Sequence, residues 1–522
     1  MQGIDEAVNK NIEACEDLCE LVRTSFGPNG MNKMVINHID KLFVTSDAAT
    51  IMSELEVQHP AAKLLVMASA QQQQELGDNT NLVLVFAGEL LSKAKKLIRM
   101  GLKPTEIVEG YEQALQQALV YFEQTAIESK VDFHSFDDLV RIVKSSISTK
   151  QYGLENFLSK VVAEACLSIM PTDPINFNMD NVRVVKILGG NFYDTKVVNG
   201  LVFGTEPVTT VNKAENAKVA IYTCAIDIGQ TETKGTVLIH DAKEMLDFSK
   251  GEENLIEKQL KEISATGVKV LVTNSTVGDM ALHFANRLGL IIVRVMSKFD
   301  LRRLCKVVGA IPLGKLVAPT SRETGECSQV FVSEFGSDRC TVFSQNEAKK
   351  RVTSIVVRGS AMNYLDDIER AIDDGVSIVK ALTQDERLIP GAGSSEIQVA
   401  MKLSRFSQSV TGLAQYSIKQ FAEALEVVPR TLAENAGMDS TSIISKLYAA
   451  HESGATTSGV DVENEDVFDA LSLPVLDSLL VKETALKLAT ETVITVLSID
   501  QIVMCKPAGG PKARNPRAQD EE

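Results

Sequence analysis

A chain of 522 residues with 44% hydrophobic and 23% charged residues is long enough for two or three globular domains. Its net charge of −16 argues against a nucleic-acid binder, which needs a basic face to displace counterions from phosphates. No apolar run reaches the roughly 18 residues of a membrane span, and Met1 leads into polar, acidic sequence rather than a signal peptide, so a cytosolic protein is expected.

The first predicted element is an amphipathic helix, because Val8, Ile12, Cys15, Cys19 and Val22 recur at helical spacing. Cys15 and Cys19 fall on that apolar stripe, so they read as buried thiols. With no Cys-x-x-Cys or His-Glu-x-x-His pattern, a zinc site is not expected. The loop Gly27-Pro28-Asn29-Gly30 follows, then a hairpin of Met34-Val35-Ile36 and Leu42-Phe43-Val44. Asp47, just past the hairpin, suits a helix cap as well as a site. A second loop, Gly77-Asp78-Asn79-Thr80-Asn81, runs into a helix that carries Leu82, Val83, Phe86 and Leu90. Small residues entering a helix N-terminus present free N–H groups where the macrodipole is positive, an arrangement that binds phosphate. Asp78 adds a carboxylate that can hold a hard cation bridging that phosphate.

Between residues 183 and 345 the character changes. Val219-Ala220-Ile221-Tyr222, Lys269-Val270-Leu271-Val272 and Leu290-Ile291-Ile292-Val293 read as strands, with a helix through Met280, Ala281, Phe284 and Leu288 before the last. That order predicts parallel βαβ pairing in a separate α/β domain. Residues 229–262 read as a mostly polar, helical surface insertion through Met245, Phe248, Leu255 and Leu260. Gly309-Ala-Ile-Pro-Leu-Gly314-Lys315 fits half of a P-loop. It is set aside because Leu316 stands where a hydroxyl should bind Mg²⁺ and Pro312 lacks an N–H donor.

A strand at Ser354–Arg358 precedes a helix with two acidic pairs. Asp366-Asp367 reads as an ordinary complement to the helix dipole in a first turn. Asp373-Asp374 lies further in and, on local grounds, reads as a solvated acidic face. Helices return from Leu365 and dominate residues 395–497, and the Pro/Gly-rich tail from Pro507 reads as disordered. The two helical ends therefore enclose an inserted α/β segment and are expected to form one discontinuous domain.

Four motifs occur in order: Gly27-Pro-Asn-Gly-Met-Asn-Lys-Met34, Thr45-Ser-Asp-Ala-Ala-Thr-Ile51, Gly77-Asp-Asn-Thr-Asn81 and Pro390-Gly-Ala-Gly393. Together they resemble the nucleotide-site motifs of the group II chaperonins, over residues 4 to 510. The resemblance implies a multidomain α+β chaperonin fold. Its helical equatorial domain would comprise residues 1–137 and 383–522, with an intermediate domain at 138–197 and 352–382. An α/β apical domain would occupy 198–351, with a helical protrusion at about 229–262. It further implies an ATP hydrolase using ATP and Mg²⁺, built into a double eight-membered ring with seven paralogous subunits. Such a ring folds non-native cytosolic proteins such as actin and tubulin.

Residue by residue, the resemblance makes Asp78 the Mg²⁺ ligand. Phe26, Gly27, Pro28, Asn79, Thr80 and Asn81 become the nucleotide lining. Asp374, in Glu369-Arg-Ala-Ile-Asp-Asp374, matches the aspartate that polarises the attacking water, with Asp47 as its helper. Lys150 matches a γ-phosphate sensor, Asp477 a ribose contact, and Gly391 and Ala392 the loop beneath it. The helix from Val277 to Leu288 would face captured substrate, although sheet packing explains most of its apolar residues.

Three departures from the family pattern bear on this. Asn79 replaces a usual Gly, and Asn tolerates left-handed backbone best after Gly. Ala392 replaces the middle Gly of a Pro-Gly-Gly-Gly turn, at a cost of about 1–2 kcal/mol if its φ is positive. The chain also begins late, without a segment expected to pair with ring neighbours alongside the hairpin and a strand near Ile499 to Met504. Asn79 and Ala392 keep open a ring subunit with weakened ATPase that acts mainly in nucleotide binding and assembly. A metabolic α/β enzyme is disfavoured, since no Gly-x-Gly-x-x-Gly loop and no compact nucleophile–base cluster occur.

Overall fold

The stripe Val8, Ile12, Cys15, Cys19 and Val22 is the fully buried face of helix Gln2–Arg23. The computed structural model describes residues 2–127, 131–227, 242–336, 338–345 and 352–503. That first helix packs on Thr80–Arg99, which also touches Pro60–Glu75, Ala414–Leu425 and Leu479–Leu497. Helices from both ends of the chain therefore share one core. At its centre the ring of Phe421 meets Phe86 and Tyr111 edge-on, with centroids 5.5 and 5.8 Å apart. Tyr111 is wholly buried, and its hydroxyl donates to the Leu90 carbonyl at 3.0 Å. The polar tip of the ring is thus satisfied while its body fills the core. The hairpin expected at residues 34–44 forms as Lys33–Ile36 antiparallel to Leu42–Thr45.

A second core joins helices Phe136–Ser148, Glu155–Ile169 and Met362–Gln384 to a three-stranded sheet. In that sheet Thr353–Gly359 lies between Val182–Leu188, parallel, and Lys196–Asn199, antiparallel. Gly375 lets Met362–Gln384 press against Phe136–Ser148, for a Cβ there would lie 2.9 Å from Val143 Cγ1. The helix begins at Met362, three residues before Leu365, where helix was expected to return. Asp366 and Asp367 therefore sit in its second turn rather than its first.

The α/β segment is a six-stranded sheet. Its central strand, Lys213–Tyr222, runs parallel to Val268–Thr273, which is parallel to Ile291–Arg294, the βαβ arrangement expected. On the other side Lys213–Tyr222 pairs antiparallel with Gly325–Phe335, followed outward by Asp338–Ser344 and Leu201–Phe203. Helices Ala242–Ala265 and Asp279–Leu288 cover one face, and Lys298–Val308 covers the other. Ile256, Leu260 and Ile263 are buried against the sheet, so the last turns of Ala242–Ala265 are a crossover helix and not a surface insertion. The start of that insertion, residues 228–241, lies outside the described residues, as does the tail from 504. Residues 499–503 form no strand within the chain.

Two short antiparallel pairs were not anticipated: Leu388–Pro390 with Leu476–Ser478, and Ser458–Asp461 with Asp466–Asp469. Strands of three or four residues offer too little alternation to stand out among helices. Replacing Phe421 with alanine removes the ring that three helices share. It is expected to destabilise the helical core by about 3–5 kcal/mol, read as a lower midpoint of denaturant unfolding followed by circular dichroism.

Candidate functional site

Helix Thr80–Arg99 starts at Asn79, whose backbone is left-handed (φ 61°, ψ 24°), two residues after Gly77 at φ 71°. This geometry turns the chain sharply enough to leave the first N–H groups of the helix facing a cavity. Asn is the side chain that adopts it with least strain, so the departure from glycine at residue 79 does not deform the loop. Asn81 fastens the neighbouring segments. Its carbonyl oxygen accepts from Ala48 N at 2.9 Å, and its amide donates to the Ser25 and Ser46 carbonyls, each at 3.2 Å. Asp78 accepts from Asn79 N at 2.6 Å and from Ser146 Oγ at 3.1 Å. Burial raises its pKa, and the Asn79 N–H and the Lys150 charge only partly oppose that.

Lys150, after helix Phe136–Ser148, brings a cation to the Asp78 side of the site. Its ammonium lies 3.1 Å from Asp47 Oδ1 and makes an ion pair with Asp374; both carboxylates are buried and the lysine side chain is 9% exposed. Asp47 is also the cap of helix Ala48–Glu54, accepting from Thr50 N at 3.0 Å and Thr50 Oγ1 at 2.6 Å. Burial alone would raise its pKa, but the Lys150 charge and the Thr50 donors outweigh this and hold it at about 2. Asp374 goes the other way. Burial pushes its pKa well up, Lys150 pulls it back, and the charges of Asp78 and Asp47 add to the rise. The local expectation of a solvated acidic face holds for Asp373, which is exposed, and fails for Asp374, which is 2% exposed. Tertiary packing against Phe136–Ser148 decided that.

On the opposite side, Ala392 does take a positive φ, 54°, followed by Gly393 at 79°. The turn keeps its shape because Gly459 lies against it: a Cβ on Gly459 would come within 2.8 Å of the Ala392 Cβ. Val460 N donates to the Ala392 carbonyl at 3.0 Å. Asp477 is paired through Oδ2 with Lys482 Nζ at 2.8 Å, and Lys482 bonds Glu396 at 2.6 Å. Lys482 and Glu396, both buried, were missed in the sequence. The available signal was one lysine inside the apolar run Leu479-Leu480-Val481-Lys482.

These segments enclose a cavity of about 390 Å³. Phe26, Gly27 and Pro28 line it from the loop after the first helix, and Asp78, Asn79, Thr80 and Asn81 from the second loop. Lys150, Asp374, Ala392 and Asp477 complete it from four further segments. Asp47 and Gly391 do not line it. Asp47 stands behind Lys150, and Gly391 lies against Val475 and Asp477, where a Cβ would meet Asp477 Cγ at 3.3 Å. Gly309, from the discarded P-loop fragment, terminates helix Lys298–Val308 instead of opening one. Among the described residues no group of three or more His, Cys, Asp or Glu is arranged to hold a metal ion. Asp78, the cavity carboxylate next to the N-terminus of Thr80–Arg99, suits Mg²⁺, which takes one or two carboxylates and fills its octahedron with phosphate oxygens and water. Among the described residues no helix is long and apolar enough to cross a membrane.

A multidomain chain with a helical core drawn from both its ends, and a phosphate-type loop facing a distant aspartate, has counterparts among known proteins. A model of the TCP-1/cpn60 chaperonin family matches residues 18–507, and the chain belongs to that family. It is 54% identical over 520 residues to a probable T-complex protein 1 subunit theta of Schizosaccharomyces pombe, spanning 99% of this chain and 95% of that protein. T-complex protein 1 subunit theta of Gallus gallus and of Homo sapiens are each 51% identical over 512 residues, spanning 98% of this chain and 93% of theirs. Asn29–His38, Val57–Lys63 and Lys506–Lys512 likewise resemble the theta subunit in their wording.

Two outcomes follow from this geometry. Asp47→Ala removes a helix cap and one partner of a buried lysine, and is expected to lower stability by about 2–4 kcal/mol near neutral pH. Because the folded pKa of Asp47 is depressed to about 2, its contribution is complete above the ordinary carboxylate pKa and fades as pH falls toward that value. The gap between wild type and variant in denaturant titrations should hold from about pH 7 to 5 and narrow only below about 4. Gly459→Ala is expected to destabilise by about 1–3 kcal/mol, and by less in an Ala392→Gly background. A double-mutant cycle of unfolding midpoints measures that coupling.

Proposed function

We propose that this chain is an ATP-hydrolysing subunit of a hetero-oligomeric, double-ring chaperonin of the cytosol. In that particle seven paralogous chains would complete each eight-membered ring, and non-native proteins such as actin and tubulin would be enclosed and folded. Helices from both chain ends would form the equatorial domain, the second core the intermediate domain, and the six-stranded sheet the apical domain. The observation that carries the reading is the meeting of Asp374 with Lys150 and the Asp78 loop, from a helix 296 residues further along the chain.

In this reading the N-terminus of Thr80–Arg99 receives the phosphates of ATP, and Asp78 would hold Mg²⁺ there. When bound there, the ion would supply positive charge against the phosphates. Asp374 orients the attacking water, Asp47 keeps Lys150 aimed at the terminal phosphate, and Asp477 contacts the ribose. Asp374 belongs to a helix rooted outside the core that holds the phosphate loop. Hydrolysis would therefore require that helix to be docked, which couples chemistry to domain closure.

Asn79 in left-handed backbone and the room that Gly459 leaves for Ala392 support an active site over one with weakened turnover. Single-turnover hydrolysis of bound ATP by the assembled particle tests this on the subunit's own site. Asp374→Ala is expected to slow hydrolysis by about a hundredfold or more while leaving nucleotide bound. Equal rates in variant and wild type would overturn the active reading and leave a nucleotide-binding assembly role.

A further inference from the structure

Asp367 precedes Asp374 by two turns on the same face of helix Met362–Gln384. Its side chain is buried, and its two carboxylate oxygens point to different segments. Oδ1 accepts from the hydroxyl of Thr45 at 2.9 Å, and Oδ2 accepts from the side-chain amide of Gln151. Arg370, one turn further along the same helix, adds a donor at 3.4 Å. Thr45 Oγ1 in turn accepts the backbone N–H of Asp47 at 3.0 Å, and Gln151 directly follows Lys150.

We infer that Asp367 is a positioning residue for hydrolysis: one carboxylate bridges the loops that carry Asp47 and Lys150 and thereby docks the helix that delivers Asp374. This rests on the ATPase reading above. The physical case is that both loops, which come from distant parts of the chain, find a common acceptor only on this helix face. When the helix withdraws, Asp367, Thr45 and Gln151 lose partners together, so docking is an all-or-none state and not a graded approach. Asp374 can meet the terminal phosphate at one distance because the bridge two turns away fixes the helix along its axis. Asp367 does not line the nucleotide cavity, so its effect falls on the chemical step and not on binding.

The test uses the assembled particle carrying Asp367→Ala, Thr45→Val or Thr45→Ser in this chain, with Asp374→Ala in parallel. Single-turnover hydrolysis and ATP affinity at this subunit are both measured. Asp367→Ala and Thr45→Val are expected to slow hydrolysis about tenfold or more, with affinity within about twofold of wild type. Thr45→Ser, which keeps the hydroxyl, is expected to restore the rate. Should Asp374→Ala slow hydrolysis while Asp367→Ala and Thr45→Val do not, the positioning role alone is overturned. A parallel loss of affinity and rate would make these residues structural and overturn it equally. If Asp374→Ala has no effect, the ATPase reading fails first. Should Asp367→Ala not assemble, the contrast between Thr45→Val and Thr45→Ser decides.

Discussion

The ammonium of Lys150 organises the candidate site. Lys150 lies between Asp47 and Asp374, with the charge of Asp78 also acting on it, and these carboxylates come from separate stretches of chain. Charges taken out of water are tolerated only when paired with good geometry, so the position of each of these segments is set by the others. The arrangement still carries more negative than positive charge. Burial is the main reason the pKa of Asp374 stays high, and that imbalance adds to it, which suits a site that receives a divalent cation along with a polyanion. Because Asp47 also caps Ala48–Glu54, the cluster is wired directly into backbone structure.

Around this centre the backbone takes conformations that are individually unfavourable. Asn79 and Ala392 both have positive φ without being glycine. Each is accommodated by a neighbour: Asn79 by its place as the residue that opens helix Thr80–Arg99, and Ala392 by the missing side chain at Gly459. Gly391 and Gly27 serve close approach, to the Asp477 segment and to Leu432 respectively. Departures from a family's usual residues are therefore to be judged against what surrounds them. Here the surroundings have absorbed both.

Much of the architecture could be read from one-dimensional patterns. The first helix, the hairpin, the parallel βαβ order and the helical C-terminal part all follow from local periodicity, which secondary structure imposes directly on the sequence. Where periodicity had little to act on, reading failed. The short pairs at Leu388–Pro390 and Ser458–Asp461 were invisible, and a polar first half disguised the buried end of Ala242–Ala265. Asp367 and Asp374 show the deeper limit. Next to identical neighbours in two Asp-Asp pairs, each turned out to be the buried member, while Asp373 is exposed and Asp366 faces Lys186. Nothing local distinguishes the members of such a pair; the helix's rotation against Phe136–Ser148 does.

The sequence by itself determined the class of elements, the phosphate-type loop with its carboxylate, and, through four ordered motifs, the family. Those are properties of residues close together in the chain, where backbone geometry and hydrogen-bonding needs act at short range. Only the tertiary structure decided which carboxylates are buried, which of them meet Lys150, and that Asp367 bridges two loops to the helix of Asp374. Those facts depend on contacts between residues more than a hundred positions apart. They exist only once burial removes water as the competing partner, because an exposed carboxylate has no need of a specific donor and a buried one does.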